Sequence, residues 1–189
     1  MDIVIKNLCK RYGEKTVLYN FNAVIKEGKA TCIMGKSGSG KTTLVNLLLG
    51  LEKPDAGEIK GMPENCSAVF QENRLCENFS ALSNIMLALP DKTNKREAEE
   101  NLLRLGIEEI NNKPIREFSG GMKRRVAILR AVMAKSEIVF FDEPFKGLDE
   151  EIKQKTIDFI KEKTKGKTVV IITHNSEDIK EFNADLIKI

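Results

Sequence analysis

The sequence predicts an α/β domain: a mostly parallel sheet covered by helices on both faces, with an antiparallel edge sheet at the amino end and a helical insertion. Three observations predict it. Short apolar runs at Ala30 to Met34, Cys66 to Phe70, Ile138 to Phe141 and Thr168 to Ile172 read as strands buried on both faces. Helical patterns alternate with the later runs, the order that a parallel sheet needs. Between about Glu72 and Lys135 the strands stop and helical spacing takes over. At 189 residues the chain is long enough for one well-buried domain and too short for two ordinary ones. It shows no internal repeat, low-complexity tract or linker, so residues 1–189 are read as one domain carrying an insertion at approximately 72–135.

In order along the chain, Ile3 to Leu8 and Val17 to Ile25 read as paired edge strands, with Gly13 and Gly28 as breakers. Ala30 to Met34 runs into a glycine-rich loop. Lys41 to Leu49 has the continuous apolar character of a buried helix, closed by Gly50. After a turn at Pro54-Asp55-Ala56-Gly57, the strand Cys66 to Phe70 delivers Gln71 at its end. Within the insertion, Ser80 is placed to cap a helix through Leu89, and Lys95 to Leu105 reads as an amphipathic helix stopped by Gly106. Helices are then expected from Ser119 to Ala134, from about Glu150 to Lys163 and after Ser176, with a last strand at Leu186 to Ile189.

Composition bounds the function more by exclusion. Hydrophobic residues at 41% and charged residues at 31% fit a soluble globular chain, and a net charge of +3 is too small to argue for nucleic acid or membrane. The longest apolar stretches, such as Leu44 to Leu51 around Asn46, fall far short of the roughly 20 residues that span a bilayer. The amino terminus lacks the layout of a signal peptide, so the chain is expected to stay in the cytosol. Cys9, Cys32, Cys66 and Cys76 show no Cys-x-x-Cys spacing and are read as reduced, structural residues acting as small buried hydrophobes.

Chemistry concentrates in three segments. The loop Gly35-Lys36-Ser37-Gly38-Ser39-Gly40-Lys41-Thr42 has the Walker A spacing, and Thr43 follows it. Its glycines let backbone N–H groups turn inward around phosphates at a helix amino terminus, where unpaired donors and the helix dipole favour anions. Lys41 would neutralise the β and γ phosphates, and the hydroxyl of Thr42 is a hard oxygen donor suited to Mg²⁺. The second segment, Ile138 to Glu143, places a core strand before two acids in the Walker B layout. Asp142 would hold Mg²⁺ through water, and Glu143 would orient and polarise the attacking water. The third is Phe118-Ser119-Gly120-Gly121-Met122, a turn that opens a helix. It offers a second phosphate-grasping surface, and one chain has little use for two such surfaces on one nucleotide.

This combination resembles the ATP-binding cassette (ABC) ATPase family over essentially the whole chain. The resemblance implies a P-loop NTPase (RecA-like) fold that binds ATP with Mg²⁺ and pairs with a second ABC ATPase subunit, as a homodimer or a heterodimer, each closing over the other's ATP. Ser119, Gly120 and Gly121 then correspond to the family signature. Phe118 stands for its usual Leu and keeps an apolar anchor, while Met122 stands for Gln and loses an amide. The resemblance also assigns His174, the single histidine, to the γ phosphate and to positioning Glu143 and the water. Gln71 corresponds to the Q-loop that ligates the metal or its water, Tyr12 to the aromatic that stacks adenine, and Asp149 to the D-loop that crosses to the partner. His174, Tyr12 and Asp149 each have a bland alternative: a structural histidine, a solvent-facing tyrosine beside Lys10 and Arg11, and an aspartate that caps the next helix. Lys123-Arg124-Arg125 reads as a solvated helix face rather than a nucleic-acid patch.

By the same resemblance the chain is expected to be the ATPase of a transporter, driving an integral membrane permease from the inner face of the cell membrane, with no nucleic acid expected. The permease would dock near Gln71, Leu75 and Phe79. The segments Val69 to Leu75 and Ser80 to Ile85 look like importers of nitrate, sulfonate or taurine type. The insertion looks trimmed, and no carboxy-terminal regulatory domain is expected. A soluble ABC ATPase acting on nucleic acid or ribosomes is the alternative, and a P-loop kinase is disfavoured by the Ser-Gly-Gly turn.

Overall fold

The computed structural model of the chain describes residues 1–89, 94–108 and 113–189. Parts of the predicted insertion, residues 90–93 and 109–112, lie outside the described residues. At the amino end, β1 (Ile3–Tyr12) and β2 (Lys15–Ile25) form an antiparallel hairpin longer than its apolar pattern suggested. The extra length comes from polar residues near the turn, which pair through the backbone and leave no hydrophobic signal. A third strand, β4 (Ala56–Lys60), joins the free side of β1 where only a turn was expected, giving the order β2-β1-β4. Its side chains are mostly exposed, so it too lacks an apolar pattern. Gly57 is required there: a Cβ at this position would stand 2.4 Å from the carbonyl oxygen of Asn7 on β1.

The apolar runs assemble into a separate sheet of β3 (Ala30–Met34), β5 (Cys66–Val69), β6 (Ile138–Asp142), β7 (Thr168–Ile172) and β8 (Asp185–Lys188). The order is β5-β6-β7-β3-β8, and every pairing is parallel. All five residues of β6 and of β7 are buried because both faces are covered. Ile138 and Phe140, with Val170 and Ile172, pack toward α1 (Lys41–Leu48) and the amino-terminal sheet. Val139 and Phe141, with Val169 and Ile171, share the opposite core with α4 (Gly120–Met133) and α5 (Glu150–Lys163). Truncating Phe141 to alanine is expected to cost about 3–5 kcal/mol. Denaturant unfolding checks this, and a loss below 1 kcal/mol would show that the site collapses freely or is not core.

The insertion supplies α2 (Ala81–Met86) and α3 (Lys95–Arg104), which pack on each other and on α4. Ser80 caps α2 as expected, its Oγ accepting from the N–H of Ser83 at 3.1 Å, but the helix ends at Met86 rather than Leu89. Buried Asn84 fastens the preceding loop, accepting from the N–H of Cys76 at 2.7 Å and donating to the carbonyls of Cys76 and Ser80, each at 3.0 Å. Cys76 is exposed rather than core. Cys32 does behave as a buried hydrophobe, and burial pushes its thiol up to about 12. Among the described residues no helix is long and apolar enough to cross a membrane. The parallel pairing sets the carboxyl ends of β3, β5, β6 and β7 along one edge, where open α/β sheets collect their ligands.

Candidate active site

The loop leaving β3 turns into α1 through Gly40, whose φ of 101° and close packing on Val17 exclude any side chain. Gly40 is also the N-cap of α1 and offers no side-chain acceptor, so the first-turn N–H groups stay available to an anion. Lys41 is only 7% exposed and folds back over the loop, donating to the carbonyls of Gly35 at 2.9 Å and Lys36 at 2.8 Å. In the same loop, the buried hydroxyl oxygen of Ser39 has no hydrogen-bond partner. An orphaned donor, a poised ammonium and an uncapped helix start fit a phosphate chain.

From the next strands come the acids. Asp142 ends β6 and accepts a hydrogen bond from the Thr42 hydroxyl at 3.0 Å. Burial pushes its carboxyl up, and the Thr42 bond pulls it back. Two hard oxygens converging beside the loop are a donor set suited to Mg²⁺. Glu143 takes a left-handed backbone conformation, φ 48°, with its N–H bonded to the carbonyl of Ile172 at 2.9 Å. A non-glycine residue held there costs of order 1–3 kcal/mol and persists only where its surroundings enforce it. His174, just past β7, sets Nε2 3.0 Å from the Glu143 carboxylate. The other oxygen of Glu143 lies 3.3 Å from the Lys146 ammonium. Lys146 was not singled out from the sequence, where one more surface lysine carries no signal.

These groups line one cleft of about 680 Å³: Ser37, Gly38, Lys41, Thr42, Gln71, Asp142, Glu143 and His174 all face it. Gln71, which follows β5, thus lines the same cleft as Thr42 and Asp142. Tyr12 borders the far side of the loop, beside Gly38, Gly40, Lys41, Thr42 and Thr43. It is 47% exposed, its hydroxyl donates to Glu52, and the Lys10 ammonium lies 5.4 Å from the ring centroid. Both readings of Tyr12 therefore describe one placement, a half-exposed ring against the loop.

Ser119, Gly120 and Gly121 are absent from the lining of that cleft. Ser119 caps α4 by accepting from the N–H of Met122 at 3.2 Å, and it and Gly120 are exposed. Phe118 is buried, the apolar anchor expected of it, and Met122 packs its side chain on the core. Gly121 lies against the segment before α5: a Cβ on it would stand 3.4 Å from Leu148 Cδ2. Asp149 caps α5, accepting from the N–H of Ile152 at 2.9 Å, so its bland role is filled whatever else it does.

The basic run after this turn is not a solvated face. Lys123 pairs with Glu77 at 3.3 Å, Arg125 bonds the carbonyls of Leu105 and Gly121, and Arg124 is 5% exposed. The signal was present: Arg124 precedes Ala127 and Ile128 by three and four residues, which puts it on the apolar side of α4. Charge alone suggested solvent, and helical spacing outweighed it.

A family model described as ABC transporter matches residues 18–146. The chain is 34% identical over 175 residues to an Fe(3+) ions import ATP-binding protein of Vibrio cholerae, covering 85% of this chain and 50% of that protein. It is 32% identical to an ergothioneine transport ATP-binding protein of Helicobacter pylori, covering 99% of this chain and 96% of that one. Against an arginine transport ATP-binding protein of Bacillus subtilis it is 36% identical over 95% of this chain and 83% of the other. It spans about half the length of the Vibrio relative. Among solved structures, the dimeric post-hydrolysis state of the ATP-binding cassette MJ0796 bound to ADP and Pi superposes with a TM-score of 0.85 at 30% identity, covering 99% of this chain and 94% of that one.

Proposed function

This chain belongs to the ABC transporter family of ATP-binding proteins, and we propose that it is the ATP-hydrolysing subunit of an importer, closing on a second cassette over shared ATP to drive a separate membrane permease. The observation that carries the reading is the separation of two phosphate-binding surfaces. Lys41, Asp142, Glu143 and His174 share one cleft, while the Ser119–Gly121 turn faces outward on the start of α4. A turn that faces outward at a helix start would complete a site on another copy rather than on its own chain, and the MJ0796 cassette is described as a dimer.

In this reading the loop amides, Ser39 and Lys41 bind the β and γ phosphates. Mg²⁺, when bound at Thr42 and Asp142 with Gln71 nearby, would supply charge neutralisation at those phosphates. Glu143 accepts the proton of the attacking water, and His174 holds its carboxylate at 3.0 Å so that the acceptor is aimed. The partner's turn adds N–H donors where charge accumulates, an interaction whose loss typically costs roughly 3–4 kcal/mol of transition-state stabilisation. Tyr12 would stack the base, and Asp149 would cross to the partner.

Partner and place are proposals of the same kind. A short permease helix would dock at Gln71, Leu75 and Phe79, the last of them 49% exposed, holding the subunit on the cytoplasmic face of the membrane. The finer reading of nitrate, sulfonate or taurine import rests on the resemblance of Val69 to Leu75 and Ser80 to Ile85 alone; the named relatives act on iron(III), ergothioneine and arginine. The test is phosphate release from Mg-ATP over a range of protein concentrations. Activity per chain should rise with concentration as pairs form, and activity independent of concentration would sink the shared site. Purified from its native cells in mild detergent with Mg-ATP, the chain should retain an integral membrane protein. Ribosomal proteins or nucleic acid in its place would favour the soluble alternative.

A further inference from the structure

We propose that Arg124 is a positioning residue for hydrolysis, a strut through which the segment around Gln71 sets the backbone of Glu143. The inference rests on the hydrolytic reading above. From α4, its guanidinium reaches two separate loops at once. Nη1 donates to the carbonyl of Phe70 and to Asn73 Oδ1 at 3.1 Å, one residue before and two after Gln71. Nη2 donates to the carbonyls of Asp142 and Glu143, the latter at 2.8 Å, and Nε to that of Pro144 at 3.3 Å.

Three consecutive carbonyls at the end of β6 are thus held by one side chain. Glu143 sits among them in its left-handed conformation, which needs such enforcement to persist. Only a planar fork with several donors spans these acceptors, so lysine is no substitute. Burial pushes the guanidinium's pKa down, and the nearby charges of Asp142 and Glu143 support its protonated form. Six residues along α4, Arg130 donates to the carbonyls of Asn73 at 3.2 Å and Arg74 at 2.9 Å, gripping the same segment further on. A displacement of residues 70–74 therefore pulls on the carbonyls that define the aim of Glu143. This route runs through the backbone and is independent of Gln71's own amide.

The test compares Arg124→Lys and Arg124→Met with wild type in single-turnover Mg-ATP hydrolysis, with ATP affinity and thermal unfolding measured alongside. Arg124→Lys should lower the hydrolytic rate about 100-fold, the size of effect a small misplacement of a reacting group produces, and leave ATP affinity unchanged. Placed on Glu143→Gln, the same substitution should add almost nothing, because both changes act through one carboxylate. Equal fold losses in the two backgrounds, a loss confined to ATP affinity, or unfolding of both variants would each overturn the positioning role. A wild-type chain that does not hydrolyse ATP would instead sink the hydrolytic reading itself. Full activity in Arg124→Lys would remove only the strut.

Discussion

Replacing Glu143 by glutamine is expected to lower Mg-ATP turnover by about 1,000-fold, within the range that a positioned general base contributes, and to leave ATP binding intact. The amide keeps the size of the carboxylate and can still meet His174, whose Nε2 lies 3.0 Å away, so the cleft should not reorganise. On the proposed mechanism, what is lost is the acceptor for the water's proton. If hydrolysis separates the pair, as proposed, the variant should accumulate as a dimer with Mg-ATP. Light scattering reads this as a doubling of mass. A variant that binds ATP normally yet stays monomeric would show that the nucleotide does not glue two chains together.

Ser119→Asp is expected to abolish turnover with no loss of fold. Aspartate caps a helix as well as serine does, so the N–H of Met122 keeps an acceptor and the start of α4 survives. The new carboxylate, however, would point at the phosphates on the opposite chain, where repulsion replaces attraction. The isolated variant should bind ATP with wild-type affinity, since Ser119 lies outside its own cleft. Mixing it with Lys41→Ala, which has a disabled loop and an intact turn, rebuilds one composite site in each mixed pair. Turnover recovered from two inactive chains would establish action across the interface. Mixed pairs that form without recovering activity would count against it.

The legible parts of this molecule were those whose signal is local. The loop from Gly35 to Thr42 announced itself because amides, glycines and a lysine must sit at fixed spacing to surround phosphates. Strands β6 and β7 were visible because a strand buried on both faces must be apolar throughout. Ser80, Ser119 and Asp149 were each read at helix starts and each accepts a backbone N–H there. β4 was missed because a strand that pairs through its backbone, with its side chains exposed, writes nothing in the hydrophobic pattern. The basic run at Lys123 was misread because charge usually means solvent, and the compensation for burying Arg124 lies in carbonyls of residues 70, 142, 143 and 144, which sequence does not display.

By itself, then, the sequence determined the chemistry on offer: a phosphate loop, two acids after a core strand, a histidine after another, and a Ser-Gly-Gly turn that opens a helix. Tertiary structure decided which of these meet. Parallel pairing of β3, β5, β6 and β7 brings Lys41, Gln71, Asp142, Glu143 and His174 to one cleft from segments up to 133 residues apart, and leaves Ser119 outside it. It also decided what surrounds Glu143: His174 and Lys146 at its carboxylate and Arg124 at its carbonyl. The reason is one of range. Capping, periodicity and loop geometry depend on neighbours within a few residues, whereas the partner of a buried charge is set by the packing of the whole sheet.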